Sequence, residues 1–340
     1  RGPDEINTAI YPIGDRLLHL GSARLSITGL KDGTMPMEDK NGNVLIYNGE
    51  IYELNKLKSN YSLDLNSKSD TRHLLNILSS QNIDEINNLN GMYAFGYYDK
   101  ANQRIVLGRD KLGIKPLYFG SNNNYSFYFS SEIKPLITHK IIENRIAENS
   151  ITNYLYSGGI NMLEGLYGDL NSQIPGSITE YKNNKIIKNV NLKTDYKNPQ
   201  NKTGSIQEFN GLFSDALNDQ LNAEVPVNIL LSGGVDSSLV ALFAKKHLNR
   251  NVTAYSLGYE NEIYNESNEA EKISNELDIN LVKFNFPQNQ NEFIIDEVIN
   301  KLPEPIADPS IIPSYYLSKR VSEFTKVVIT GDGADELFGG

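Results

Sequence analysis

Two hydrophobic rhythms divide the chain. Between Leu17 and Ser131 the apolar and aromatic residues come in short runs: LLHL (17–20), ARLSIT (23–28), NVLIYNG (43–49), GMYAFGYYD (91–99), RIVLGRD (104–110), PLYFG (116–120) and YSFYFSS (125–131). Turn residues separate these runs at short intervals, the pattern of antiparallel strands whose sheets pack face to face. One segment breaks the rhythm. SDTRHLLNILSS (69–80) carries Leu74, Ile77 and Leu78 at helical spacing, with Ser69 or Asp70 available as its cap. Strands with covering helices predict an α+β sandwich for this half.

From residue 227 the period changes. Strand-like runs at 227–231, 252–258, 281–286 and 326–330 alternate with helix-like segments at about 238–248, 267–277, 291–301 and 314–324. Ala270, Ile273 and Leu277 repeat at helical spacing, as do Ile295, Val298, Ile299 and Leu302. Alternating β and α over this length predicts a parallel, doubly wound sheet. In the usual 3-2-1-4 order, the first and fourth strands are neighbours at the switch point, and ligands bind beyond their carboxyl ends. Between about 183 and 207 the chain is polar and rich in Lys and Asn, which predicts a junction with one short strand at KIIKNVNL (185–192).

A length of 340 residues suits two ordinary domains. The net charge of −10, with no basic run longer than a pair, argues against nucleic acid or an anionic membrane as the main partner. No stretch approaches the apolar length of a membrane span. The absence of cysteine excludes disulfides and thiolate metal sites in this chain and fits a cytoplasmic location. His19, His73, His139 and His247 are scattered without paired metal-ligand spacing. The opening at Arg1 without an initiator Met, and the stop just after a glycine-rich loop, lead to the expectation of a fragment cut at both ends.

The candidate chemistry centres on VNILLSGGVDSS (227–238), a short apolar run leading into a glycine turn and a helix start. Such a turn presents free backbone N–H groups at the positive end of a helix, and its glycines let a phosphate approach the main chain. No Lys follows the glycines as in a Walker loop; Asp236 stands there, and a carboxylate beside phosphates points to a bridging Mg²⁺. The plainer reading, in which Ser232 and Asp236 only cap a helix, accounts for one or two of these residues and not seven in a row. A second acidic, glycine-rich loop, Gly331-Asp332-Gly333-Ala334-Asp335-Glu336, follows the fourth strand. It lacks the third glycine of a dinucleotide fingerprint, so a metal-bridged triphosphate is the better guest, with Asp236 and Asp335 as its Mg²⁺ contacts. Helix capping is the competing reading for each.

The run SGGVDSS is similar to the pyrophosphate loop of ATP pyrophosphatase domains, in particular that of the asparagine synthetase family. YSLGYEN, EPIADPSIIPSYYLSK and TGDGADELFGG resemble further segments of the same domain. The resemblance implies ATP contacts at Leu231, Ser232, Gly233, Gly234, Asp236, Ser237, Ser238, Leu257 and Gly331. It also implies Asp308 near the substrate and Asp332 near the reactive acyl-adenylate, where it accepts a proton from ammonia.

The first half resembles the glutamine amidotransferase domain of that family through RGPD (1–4), RLSI (24–27), NGEIY (48–52), Ser69-Asp70, GMYAF (91–95), RDKLGIKPLY (109–118) and FSSEIKPL (129–136). What this implies is an N-terminal-nucleophile sandwich of αββα type, followed by the doubly wound ATP pyrophosphatase sheet. Arg24 would grip the carboxylate of glutamine, Asp70 its amine, and Asn48 and Gly49 the oxyanion. Those roles suit the groups: an Arg fork matches a carboxylate, and an Asn N–H with a backbone N–H stabilises a tetrahedral oxyanion. The family's nucleophile is an N-terminal cysteine, which this chain lacks, so as supplied it is expected not to hydrolyse glutamine. Ser22, Met35 and Arg72 depart from the family's usual residues.

The implied organisation is an amidotransferase domain over 1–185, a connector over 186–207 and a synthetase domain over 208–340. The implied reaction makes asparagine from aspartate, glutamine and ATP, with Mg²⁺, through an acyl-adenylate; a homodimer is compatible with it. Two alternatives stand beside this reading: an AMP-forming amide synthetase of the β-lactam synthetase kind without glutaminase activity, and a catalytically inactive nucleotide- or glutamine-binding protein.

Overall fold

The computed structural model describes residues 2–53, 67–80, 83–123, 127–160, 165–168, 170–183, 185–192, 204–260, 265–287 and 291–339. The chain divides into two units, 1–198 with 303–307 and 199–302 with 308–340.

In the first unit a hairpin joins β1 (Glu5–Ile13) to β2 (Arg16–Arg24). A six-stranded sheet runs β11-β10-β6-β5-β4-β3, where β3 is Met37–Glu38, β4 Val44–Ile51, β5 Gly91–Asp99, β6 Arg104–Arg109, β10 Ser177–Lys182 and β11 Lys185–Asn191. A small sheet holds β7 (Tyr118–Gly120) between β8 (Tyr128–Ser130) and β9 (Asn171–Ser172). Successive side chains of a strand point to opposite faces, and β4 uses both. Leu45, Tyr47 and Ile51 pack against Leu74, Leu75, Ile77 and Leu78 of α1 (Asp70–Ser79). Val44 and Ile46 pack instead with Leu20, Leu18, Tyr11 and Ile13 of the hairpin. The large sheet therefore lies between a helix and a second β layer. The helices α2 (Ile133–Thr138) and α3 (Glu148–Ser157), with a 3-10 helix over Ile83–Asn88, complete the described helices of this unit.

Three features differ from the sequence reading. LLHL and the start of ARLSIT form the single strand β2, which stops at Arg24 because that side chain turns back to bond the carbonyls of Thr28 (2.9 Å) and Gly29 (2.8 Å). Strand β1 had no sequence signal strong enough to mark it. The third concerns the junction: β11 pairs antiparallel with β10, so residues up to 191 lie in the first unit's sheet, although a connector was expected from 186. What remains of that connector, 193–203, lies outside the described residues, as does Arg1. Helix α1 forms as the sequence predicts, with the Ser69 hydroxyl capping Arg72 N at 3.2 Å. Ser69 is the cap and Asp70 the first helical residue, which frees the Asp70 carboxylate for other partners.

The second unit is built on the parallel sheet β14-β13-β12-β15, the expected 3-2-1-4 order, from β12 (Val227–Leu230), β13 (Thr253–Gly258), β14 (Asn280–Asn285) and β15 (Val327–Ile329). Its helices are α4 (Ile206–Leu221), α5 (Val235–Leu242), α6 (Ser267–Leu277), α7 (Asn291–Lys301), α8 (Ile311–Val321) and α9 (Ala334–Phe338). Ile229 and Leu231, buried in the sheet, meet Leu217 and Leu221 of α4 and Val240 and Ala241 of α5 in one core. Helix α4 escaped the sequence reading. Helix α8 begins three residues earlier than expected and takes Pro313 into its first turn, where a missing N–H costs no intrahelical bond.

Candidate functional site

The geometry of the second unit gathers at the carboxyl ends of β12 and β15. Beyond β12, Leu231 still bonds β13 through its N–H to Tyr255 O at 2.9 Å, and the chain then turns through Ser232, Gly233 and Gly234 into α5. Gly234 is the N-cap of α5, and no side chain caps that helix. The helix-capping alternative for Ser232 and Asp236 is therefore not what the loop does. Ser232 shapes the turn: its Oγ accepts from Gly234 N at 3.2 Å and lies 3.0 Å from Ser237 Oγ, while its N–H donates to Ser237 Oγ at 3.2 Å. The first-turn N–H groups of α5 are left without a side-chain acceptor at the positive end of the helix, which is the arrangement that receives an anion.

Two close approaches hold this loop. Gly233 has φ +99, and a Cβ there would lie 2.8 Å from Glu269 Cβ and 2.9 Å from Ala270 N of α6. Gly331 packs on the start of α5, where a Cβ would stand 2.9 Å from both Asp236 Cβ and Ser237 N. The two glycine-rich loops thus touch, as neighbouring parallel strands require. Asp332 is exposed and accepts from Thr330 Oγ1 at 2.9 Å; Asp335 is exposed in the first turn of α9. Leu257, near the end of β13, is half-buried among apolar neighbours that include Tyr255 and Phe284. Asp308 accepts from Ser310 N at 2.9 Å, and hydrogen bonds from Ser310 hold its carboxyl below the ordinary range. Among the described residues no group of three or more His, Cys, Asp or Glu is arranged for a metal. The donor set that remains, single carboxylates beside the uncapped start of α5, fits an ion such as Mg²⁺ that keeps water and phosphate oxygens as most of its ligands.

In the first unit the pocket is organised around Asp70, which is 3 % exposed. One oxygen, Oδ2, accepts from the Tyr47 hydroxyl at 2.8 Å and from Ile51 N at 3.2 Å. The other, Oδ1, accepts from Thr71 N at 2.7 Å and has long contacts of 3.4 Å to the hydroxyls of Thr28 and Thr71. Burial raises the pKa of Asp70, and these donors, Tyr47 foremost, oppose the rise. Arg24, also buried, bonds the Thr28 carbonyl and pairs with Glu5 at 3.4 Å. Thr28 therefore stands between a cation that suits a carboxylate and an anion that suits an amine.

Asn48 and Gly49 sit on β4, the strand whose Tyr47 and Ile51 bond Asp70. Asn48 lines a cavity of about 170 Å³ with His19, Ile46, Phe95, Leu117 and Phe129. Gly49 admits no side chain: a Cβ would lie 2.1 Å from Met92 O and 2.7 Å from Tyr93 Cα on the paired strand β5. Sequence reasoning did not mark the next residue, Glu50. Burial first, and then the Asp70 charge, push its carboxyl up to about 7, while Lys115 and the Thr28 hydroxyl pull it back. Its place directly after Asn48-Gly49 was the available signal. Two of the departures from the family's usual residues prove to be neighbours: the Ser22 hydroxyl donates to Met35 O at 2.9 Å, and Met35 Sδ accepts from Tyr47 N at 3.2 Å. The third, Arg72, lies 3.8 Å from Asp32.

Comparison with known proteins finds a family match for each unit. Residues 1–193 match a glutamine amidotransferase domain and residues 208–340 match asparagine synthase. A protein of Methanocaldococcus jannaschii named as a glutamine-hydrolysing asparagine synthetase is 30% identical, over 100% of this chain and 70% of that one. Asparagine synthetase [glutamine-hydrolyzing] 1 of Bacillus subtilis is 30% identical over 100% of this chain and 54% of that one. Asparagine synthetase B of Escherichia coli is 26% identical over 100% and 59%. The chain thus spans between about half and about 70% of these relatives' lengths. With both units matched in order and along their whole extent, the chain belongs to the glutamine-hydrolysing asparagine synthetase family.

Proposed function

We propose that the whole protein makes asparagine from aspartate, with ATP as the energy source and glutamine as the nitrogen donor. The observation that carries the synthetase half is the uncapped start of α5 behind the Ser232-Gly233-Gly234 turn, packed against the Gly331 loop. A carboxylate does not exchange its oxygen for an amine in water at a useful rate, so it needs a leaving group. Attack of the aspartate side-chain oxygen on the α-phosphorus of ATP gives an acyl-adenylate and pyrophosphate. The N–H groups of the loop stabilise the charge growing on pyrophosphate. Asp236 and Asp335 would hold Mg²⁺, which when bound supplies further charge neutralisation there. Ammonia then displaces AMP, Asp332 accepts the proton it sheds, and Leu257 packs against the adenine.

In the first unit, Arg24 takes the carboxylate of glutamine, Asp70 and Glu50 its ammonium, and Asn48 with the Gly49 N–H the oxyanion. The layered sheets and α1 fit an N-terminal-nucleophile sandwich. This chain has no cysteine, so no thiol among these residues attacks the glutamine amide. The test incubates the intact protein with Mg-ATP, aspartate and either glutamine or ammonium, with products read by mass spectrometry. Asparagine and AMP are expected from both nitrogen sources; no asparagine under any condition overturns the reading.

The amine site sets a pH dependence. Glu50 becomes a carboxylate as pH rises through about 7, while the ammonium of an amino acid stays charged. Affinity for glutamine is therefore gained on the alkaline side: KM for glutamine should fall as pH is raised from about 6 to about 8, and Glu50→Gln should flatten that change. A KM that rises over this range contradicts the assignment of Glu50.

A further inference from the structure

We propose that Tyr47 is a positioning residue of the amine end of the glutamine pocket, its hydroxyl holding the Asp70 carboxylate turned so that Oδ1 receives the substrate's ammonium. The inference rests on the glutamine reading above.

Strand β4 places Ile46 and Asn48 on the face turned to the hairpin, and sends Tyr47 to the opposite face among the side chains of α1. There the Tyr47 ring is 5 % exposed, and its hydroxyl reaches Asp70 Oδ2 at 2.8 Å. The hydroxyl ionises far above its ordinary range, so it remains a donor wherever the enzyme works. A buried carboxylate stays charged only when hydrogen bonds replace lost water. Among the described residues, the other short donors to Asp70 are the backbone groups Ile51 N and Thr71 N. Tyr47 is therefore the short side-chain donor, and with Ile51 N it pins Oδ2. The carboxylate is held on both sides, and Oδ1, which accepts from Thr71 N at 2.7 Å, has beyond that bond two hydroxyl contacts at 3.4 Å that a substrate ammonium can outcompete. The same strand thus sets both ends of the site, Asn48 at the reacting amide and Tyr47 behind the amine.

The experiment is a double-mutant cycle on glutamine hydrolysis by the intact protein, with wild type, Tyr47→Phe, Asp70→Asn and the double variant compared in kcat/KM. Losing a hydrogen bond to a charged group is expected to cost about tenfold in Tyr47→Phe, carried by KM with kcat little changed, because the amine is held alike in ground and transition states. In the Asp70→Asn background the same substitution is expected to cost less than about twofold, since the partner through which it acts is gone. Phe keeps the ring and its packing. Melting temperatures report that all four proteins fold, and glutamine binding by calorimetry gives the same comparison without catalysis. An equal tenfold loss in both backgrounds, or a loss carried by kcat, makes Tyr47 a merely structural residue and overturns the proposal. An unchanged Tyr47→Phe overturns it as well. A wild-type protein that neither binds nor hydrolyses glutamine removes the glutamine reading itself, which is a separate failure visible before any variant is made.

Discussion

Gly233→Ala is expected to lower ATP-dependent asparagine formation by at least about 100-fold and to abolish thermal stabilisation by Mg-ATP. Two costs combine at this position. The backbone sits at φ +99, outside the region open to L side chains, and the added methyl would meet Glu269 Cβ at 2.8 Å and Ala270 N at 2.9 Å. Neither neighbour is the loose end of a flexible chain, so the turn itself must move. A displacement of about 1 Å is enough to take hydrogen-bond donors off a transferring phosphate. Gly234→Ala is the instructive companion. Its nearest neighbour would be Ser232 Oγ at 3.3 Å, and its φ of −69 suits any residue. That variant should fold with nearly wild-type stability, so a loss of nucleotide binding in it reports the close approach of a phosphate to the main chain. Retention of full synthetase activity in Gly233→Ala would remove this loop from the mechanism.

Gly49→Ala is expected to reduce glutamine-dependent synthesis by at least about 100-fold while ammonium-dependent synthesis stays within about twofold of wild type. The methyl would fall 2.1 Å from Met92 O, a backbone atom of the neighbouring strand. Strands β4 and β5 must separate locally to admit it, and both proposed oxyanion donors move with β4. Comparing the two nitrogen sources in one preparation distinguishes a damaged glutaminase from a misfolded chain, since the latter loses both. Equal loss of both activities would tie Gly49 to the stability of the chain and not to the oxyanion.

Much of the site was legible because its residues are contiguous. SGGVDSS, GDGADE and Asn48-Gly49 each carry their chemistry within a few positions, and the 3.6-residue and two-residue rhythms around them mark which element each one ends or begins. The parallel sheet of the second unit followed from β and α alternation, and its strand order is the usual one for such a sheet. The failures have one cause in common. Strand β11 was expected as a short strand at KIIKNVNL but placed in a junction, because six of its seven residues are exposed and burial left no imprint that ties it to the first unit's sheet. Strand β1 alternates half-buried and exposed positions, but its exposed face carries Ile6 and Ile10, which blurs the polar half of the pattern.

By itself the sequence determined the two periodicities, the glycine turns and the supply of acidic, amide and guanidinium groups, because these depend on neighbours in the chain. The tertiary structure decided which distant groups meet. Asp70, free to be read as a helix cap, becomes a buried anion because Ser69 takes the cap and Tyr47 and Ile51 from β4 close over it. Glu50 is pushed up to about 7 by burial and by Asp70, twenty positions away along the chain. Desolvation and charge–charge coupling act through space, so no local pattern could have carried them.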